Sequence, residues 1–188
     1  MEFSPALLLY AVLQFIAFLF VLVGTPIDML RQRNGGSRFG NTPCVTLWGY
    51  KVQCYNSTYE ASVDRLWMSC RRRRNAFRAA QAFAVISIFV YGLAAAFGFI
   101  ALWCCSRLRW VCLALNISGV ITLCVVWATI VVTYYKADDL CDSENLISFF
   151  GSGFVLLVMA WCLDIINIVF LLLSRPAMHA SDNADTKE

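Results

Sequence analysis

Four stretches of this chain are almost free of charge over lengths that match a lipid bilayer: Phe3 to Ile27, Ala79 to Ser106, Trp110 to Tyr135, and Asn145 to Ser174, the last broken only by Asp164. The hydrocarbon core takes about 20 apolar residues per helix, and each run exceeds that. In lipid the backbone must satisfy its own hydrogen bonds, so helices form even where Val, Ile and Phe would favour strands in water. Composition closes the alternative. The 188 residues are 60% hydrophobic and only 14% charged, against about 25% charged for a soluble domain. A soluble globular fold is excluded, and the length leaves no room for a separate catalytic unit. The expectation is an all-α membrane protein, a four-helix transmembrane bundle forming one domain over 1–188. Its spans lie near 5–27, 79–103, 110–135 and 147–173, with loops at 28–75, 104–109 and 136–145 and a polar tail at 174–188.

The first run reads as an uncleaved anchor. Glu2 stands where a signal peptide has a basic segment, and Val23-Gly24-Thr25 is a poor cleavage site. Polar residues after the last span argue against a GPI signal. The only histidine, His179, falls in the tail, which removes histidine-based metal or acid–base chemistry from the membrane region.

Charge and cysteine give opposite answers about sidedness. Loop 28–75 and its exit hold Arg31, Arg33, Arg38, Lys51, Arg65, the run Arg71-Arg72-Arg73-Arg74 and Arg78, whereas loop 104–109 has Arg107 and Arg109. The positive-inside rule would put the basic loop in the cytoplasm. Against this, the two loops that share a side contain Cys44, Cys54, Cys70 and Cys141, and Asn56-Ser57-Thr58 is a glycosylation sequon usable only outside. A second sequon, at Asn116, is buried in a span. The cysteines and the sequon favour the basic loop as the outer one, with 104–109 inside.

The outer loop contains Cys44-Val45-Thr46-Leu47-Trp48-Gly49-Tyr50-Lys51-Val52-Gln53-Cys54, rich in β-branched and aromatic residues. A straight strand would hold the two cysteines roughly 33 Å apart, whereas a disulfide needs Cα atoms within about 7 Å. A hairpin turned near Gly49 would bring them together, leaving Cys70 and Cys141 for a second bridge. A straight strand pairing Cys54 with Cys70 is the alternative, and four outer cysteines allow three connectivities.

This segment fills the principal positions of C-[aliphatic]-[ST]-L-W-G-x-[KRQ]-x-x-C and resembles the signature of the amastins, four-span surface glycoproteins of trypanosomatid parasites such as Leishmania. The carriers are Cys44, Thr46, Leu47, Trp48, Gly49, Lys51 and Cys54; Gln53 departs from the family's usual acidic residue, Asn or Thr. The long first loop and short tail agree with the same family over the whole chain. The resemblance implies a plasma-membrane protein of the parasite surface with both termini cytoplasmic, and a role at the host–parasite interface without a defined activity. It also implies a distant similarity to claudins, whose first outer loop is a small sheet with a Leu-Trp and a cysteine pair; Arg78-Ala79-Ala80-Gln81-Ala82 opens the second span in a similar way.

Other features divide between function and packing. Asp164 lies within the fourth span, where a charged carboxylate costs at least about 2.5 kcal/mol, and Asn167 shares its helix face. A proton or cation relay is one reading. The favoured one is a hydrogen-bonded acid facing Asn116, Gln81 or Gln14. Cys104 and Cys105, beside Arg107 and Arg109, are candidates for palmitoylation or simply small apolar residues. Ala94 to Gly98 and Ser148 to Ser152 have the small-x-x-x-small spacing of close helix contacts. No metal cluster or nucleophile–base pair is evident, so neither catalysis nor a cofactor is expected. The expected partners are the lipid bilayer, a host membrane, glycan or anionic lipid met by the outer loop, and a second copy of the chain; nucleic acid is not among them. Trp48, Tyr50, Lys51 and the arginine run are the expected recognition surface, since aromatic and arginine side chains carry interfaces. A small transporter or proton channel built on Asp164 and Asn167 is the competing class.

Overall fold

The computed structural model describes residues 5–33, 41–103, 108–137 and 148–173. Cys104, Cys105 and Cys141 lie outside these residues. Helices α1 (Pro5–Gly24), α3 (Arg71–Ala101), α4 (Leu108–Tyr135) and α5 (Ser152–Leu173) are each long and apolar enough to cross a membrane. Helix α1 packs on α3 and α5, and α4 packs on the same two, which closes a four-helix bundle. The remaining elements gather at one end: β1 (Asp28–Gln32), β2 (Cys44–Thr46), β3 (Gly49–Lys51), β4 (Ala61–Ser62), the single turn α2 (Val63–Leu66) and β5 (Ser148–Phe150). The strands form one antiparallel sheet in the order β4-β3-β2-β1-β5.

The helix interiors follow from the solvent. Lipid is as apolar as leucine, so large apolar side chains gain nothing by turning inward, and small or polar residues pack between helices instead. In α3 the buried face includes Ala80, Ala84, Ser87, Ala94, Ala95 and Gly98, while Phe89 and Leu93 face outward. In α4 it includes Cys112, Asn116 and Gly119, with Ile121 and Val132 outside. A Cβ at Gly98 would stand 3.0 Å from Cε1 of Tyr10, so the Ala94–Gly98 pair seats α1. Trp127 and Trp161 meet edge to face at 5.4 Å between α4 and α5.

Two boundaries differ from the apolar runs. Helix α3 begins at Arg71, well before the expected span, because arginine is a good helix former and its long side chain can carry its charge out of the lipid. The fourth run divides: Ser148–Phe150 is a strand and the helix starts at Ser152. The Ser148–Ser152 pair is therefore no helix contact. Close approach falls instead at Gly153, where a Cβ would lie 2.7 Å from the carbonyl oxygen of Gly24.

The sheet is fastened to the bundle where α1 runs into β1 and β5 runs into α5. Leu30, Arg31 and Gln32 pair with Phe150, Phe149 and Ser148. Asp28, fully buried, completes the join. Its carboxylate accepts from the Ser152 hydroxyl at 2.8 Å and the Ser152 backbone N–H at 3.2 Å, and Arg31 lies 3.1 Å away. It thus caps α5 from another part of the chain, with a negative charge at the helix N-terminus. Only glycine fits at Gly151, since a Cβ there would strike the carbonyl and carboxylate of Asp28. Phe150 then stacks between Tyr134 at 4.4 Å and Phe154 at 4.3 Å.

Asp28→Ala strips this carboxylate from Arg31 and from the first turn of α5. The expected loss is about 3–5 kcal/mol, the range for removing one partner of a buried ion pair. It would be read as a lower thermal midpoint in detergent, with Asp28→Asn losing less. An unchanged midpoint would mean that the β1–β5 pairing alone holds the sheet.

Candidate functional site

The signature segment folds as a hairpin across β2 and β3, and each of its residues has a separable physical task. Cys44 and Cys54 are joined, with Cα atoms 5.5 Å apart. The two-residue turn is Leu47-Trp48, organised by the Thr46 hydroxyl. Thr46 Oγ1 accepts from the N–H groups of Trp48 and Gly49, both at 3.1 Å, and donates to the Gly49 carbonyl at 3.0 Å. Leu47 is fully buried in the core, and its carbonyl accepts from Gln81 Nε2 of α3 at 2.9 Å. Trp48 faces outward, 37% exposed. Lys51 Nζ lies 4.6 Å over the ring of Tyr59, a cation–π contact.

The turn lies earlier than the expected hairpin turn near Gly49. Gly49 is the first residue of β3, and glycine is needed there for another reason: a Cβ would run into the carbonyl of Ala61 on β4. Close strand approach, not turn geometry, selects it.

Beside the hairpin a cavity of about 800 Å³ opens between the sheet and the start of α5, lined by Ile27, Arg31, Lys51, Tyr55, Asn56, Phe149 and Phe150 among others. Arg31 lies 5.3 Å over the Tyr55 ring. Asn56, the sequon residue, is exposed at this rim. The outward aromatic surface is broader than the sequence suggested. Tyr55 is 68% exposed and Tyr59 44%, whereas Tyr50 is half-buried and packs on the core. Exposed tyrosines among polar neighbours carry no periodic signal, so nothing in the sequence marked them.

The arginine run does not act as a unit. Arg71 and Arg72 are exposed. Arg73 is buried, with its guanidinium 4.7 Å over Trp67 and Nη2 donating at 3.0 Å to the Lys136 carbonyl beyond α4. Arg78 holds Asp64 at 2.8 Å, and this hydrogen bond keeps the Asp64 carboxyl below the usual carboxylate range. Arg109 binds the Leu171 carbonyl near the end of α5 through Nε at 3.0 Å and also through Nη2. Cations at helix C-termini complement the backbone dipole. Cys70 is buried and disulfide-bonded; its partner lies outside the described residues.

Deeper in the bundle the helices bring polar side chains together. Asp164 and Asn167 of α5 are fully buried with Gln14 of α1, beside Tyr91 of α3 and Asn116 of α4. Asn167 Nδ2 donates to Gln14 Oε1 at 2.7 Å, and Asn116 Nδ2 to the Tyr10 hydroxyl at 3.3 Å. The Tyr91 hydroxyl and the Gln14 amide stand within electrostatic reach of Asp164, but neither carboxyl oxygen has a hydrogen bond. Gly119 makes the space, since a Cβ there would lie 2.8 Å from Asp164 Oδ2. Gln81, also expected near Asp164, instead binds the hairpin.

Thr46→Val removes the turn's three hydrogen bonds while keeping its shape. Buried groups left unsatisfied cost about 1–3 kcal/mol, so the Cys44–Cys54 bridge should be reduced faster by a soluble phosphine, with Thr46→Ser restoring the slow rate. Equal rates for all three proteins would remove the hydroxyl from its assigned task.

Two comparisons with known proteins bear on identity. No curated protein matches the sequence. Residues 15–171, from α1 to near the end of α5, match the family described as Amastin surface glycoprotein. That stretch contains the hairpin, the sheet and nearly all of the bundle, so this membrane-spanning surface protein belongs to the amastin family.

Proposed function

We propose that the protein is a non-catalytic recognition protein at the parasite–host membrane interface, with the sheet outside the cell and both termini in the cytoplasm. The observation that carries this reading is the sheet itself. It is a disulfide-tied tile bolted to the bundle through Asp28 that holds Trp48, Tyr55, Tyr59 and Lys51 at its surface beside an open cavity. Rigid aromatic and cationic side chains give contact area at low entropic cost. Asn56 would carry its glycan at the cavity rim, and Cys70 would pair with Cys141 to tie the start of α3 to the loop before β5. Cys104 and Cys105 would be the palmitoylated pair at the opposite end.

The sidedness test is a glycosidase shift together with impermeant thiol labelling of intact cells, before and after mild reduction. The expected result is a mobility shift lost in Asn56→Gln, with Cys44 and Cys54 labelled only after reduction. Labelling that required permeabilisation would put the sheet in the cytoplasm and end this reading. For recognition, Trp48→Ala and Lys51→Glu should each weaken binding to host-cell membranes about tenfold or more, as central interface residues do, without lowering surface abundance.

A second reading, a proton- or cation-handling bundle, is favoured by one observation: Asp164 Oδ1 and Oδ2, Asn116 Oδ1 and Asn167 Oδ1 are buried acceptors without donors. Asp164→Asn separates the two readings. Host-membrane binding should survive it, whereas proton or cation flux in vesicles should not.

A further inference from the structure

At the sheet-bearing end of the α3–α4 pair lies an open groove of about 380 Å³ that neither the hairpin nor the buried polar cluster touches. One wall is a single stripe of α4. Val125, Ala128, Thr129, Val132, Thr133 and Lys136 line it, at the spacing of one helix face. The opposite wall is the start of α3, with Arg72, Arg73 and Ala76. At the helical rise the stripe is about 16 Å long, roughly half the depth of the hydrocarbon core.

The groove is polar only at its mouth. The two threonines do not make it hydrophilic, because Thr129 Oγ1 donates to the Val125 carbonyl at 2.8 Å and Thr133 Oγ1 to the Thr129 carbonyl at 2.9 Å. Their hydroxyls are thus occupied by their own helix. Ala76 and Ala128 leave the width. At the mouth Arg72 and Lys136 are exposed, and the ion pairs among the described residues, Arg31–Asp28 and Arg78–Asp64, include neither of them. Arg73 is committed to the Lys136 carbonyl and to Trp67, which fixes this end of α3 against the end of α4.

The geometry points to a binding site for one anionic phospholipid of the protein's own membrane, its headgroup between Arg72 and Lys136 and an acyl chain along the α4 stripe. A soluble anion would meet the cations but leave the apolar depth unfilled. A neutral lipid would fill the depth and leave the cations unanswered. Only an anionic amphiphile matches both, and cations at the membrane surface hold anionic headgroups in this way. The inference does not depend on which side of the membrane the sheet occupies, nor on what the sheet recognises.

The test is native mass spectrometry of the full chain released from bilayers of equal parts palmitoyl-oleoyl phosphatidylserine and phosphatidylcholine. One retained phosphatidylserine per chain is expected, preferred by about thirty-fold, as two surface cations supply. Arg72→Gln with Lys136→Gln should bring the preference close to unity, and Ala128→Phe, which fills the groove but spares the cations, should abolish retention. Arg65→Gln, which removes an exposed cation elsewhere at the same end, should change neither. Equal retention of both lipids would overturn the site. So would full retention in Ala128→Phe, or an equal effect of Arg65→Gln, either of which would reduce the interaction to a diffuse surface charge. In the unaltered chain, phosphatidylserine with a diazirine in its acyl chain should label the segment 125–133; labelling only elsewhere would also overturn it.

Discussion

Asp28 ends the first loop's approach to the membrane in a position that water cannot reach, with Arg31 on one side and the first turn of α5 on the other. A buried carboxylate without partners would be expelled or neutralised; one that meets a guanidinium, a hydroxyl and a helix N-terminus is held where it is. The rest of the sheet-bearing end follows from that placement. With Asp28 fixed, β1 leaves α1 at a set angle, β5 can pair with it, and Gly151 and Gly153 must be glycine to let the chains pass. Strands β2, β3 and β4 then extend the sheet away from the bundle. The loop becomes a platform continuous with two membrane helices.

Below the platform the bundle obeys a different rule. Its interior is made of alanine, glycine, serine and amide side chains, and its large apolar residues face lipid. Polar groups inside such a bundle choose partners across helices, since a group left alone in hydrocarbon is costly. Most here do so, as Gln14 with Asn167 and Asn116 with Tyr10 show. Asp164, with its two acceptor oxygens unengaged, stands apart and marks the most polar point of the interior.

The signature hairpin shows how far sequence reading reaches. The cysteine pair and the strand character were legible because disulfide reach and β-propensity are local arithmetic. The reason for Gly49 was not, because the obstructing carbonyl belongs to Ala61 on another strand. Thr46 was visible as a signature position without its task, since the hydroxyl that pins the turn has three backbone partners within three residues. The arginine run read as one charged collar, yet Arg73 is drawn inward by Trp67 and the Lys136 carbonyl, and neither lies near it in a pattern that sequence periodicity records.

The sequence by itself determined that the chain crosses a membrane as helices, roughly where it does so, and that a cysteine-closed hairpin lies between the first two crossings. Uncharged length, backbone self-satisfaction and cysteine spacing are properties of contiguous segments, and lipid imposes them whatever the partners are. Tertiary structure alone decided that Ser148–Phe150 leaves the fourth apolar run to join a sheet, that Asp28 caps a helix more than a hundred residues away, and that Gln81 serves the hairpin and not Asp164. In each case the deciding partner is distant in the chain, and a buried polar group takes its position from whichever partner folding brings to it.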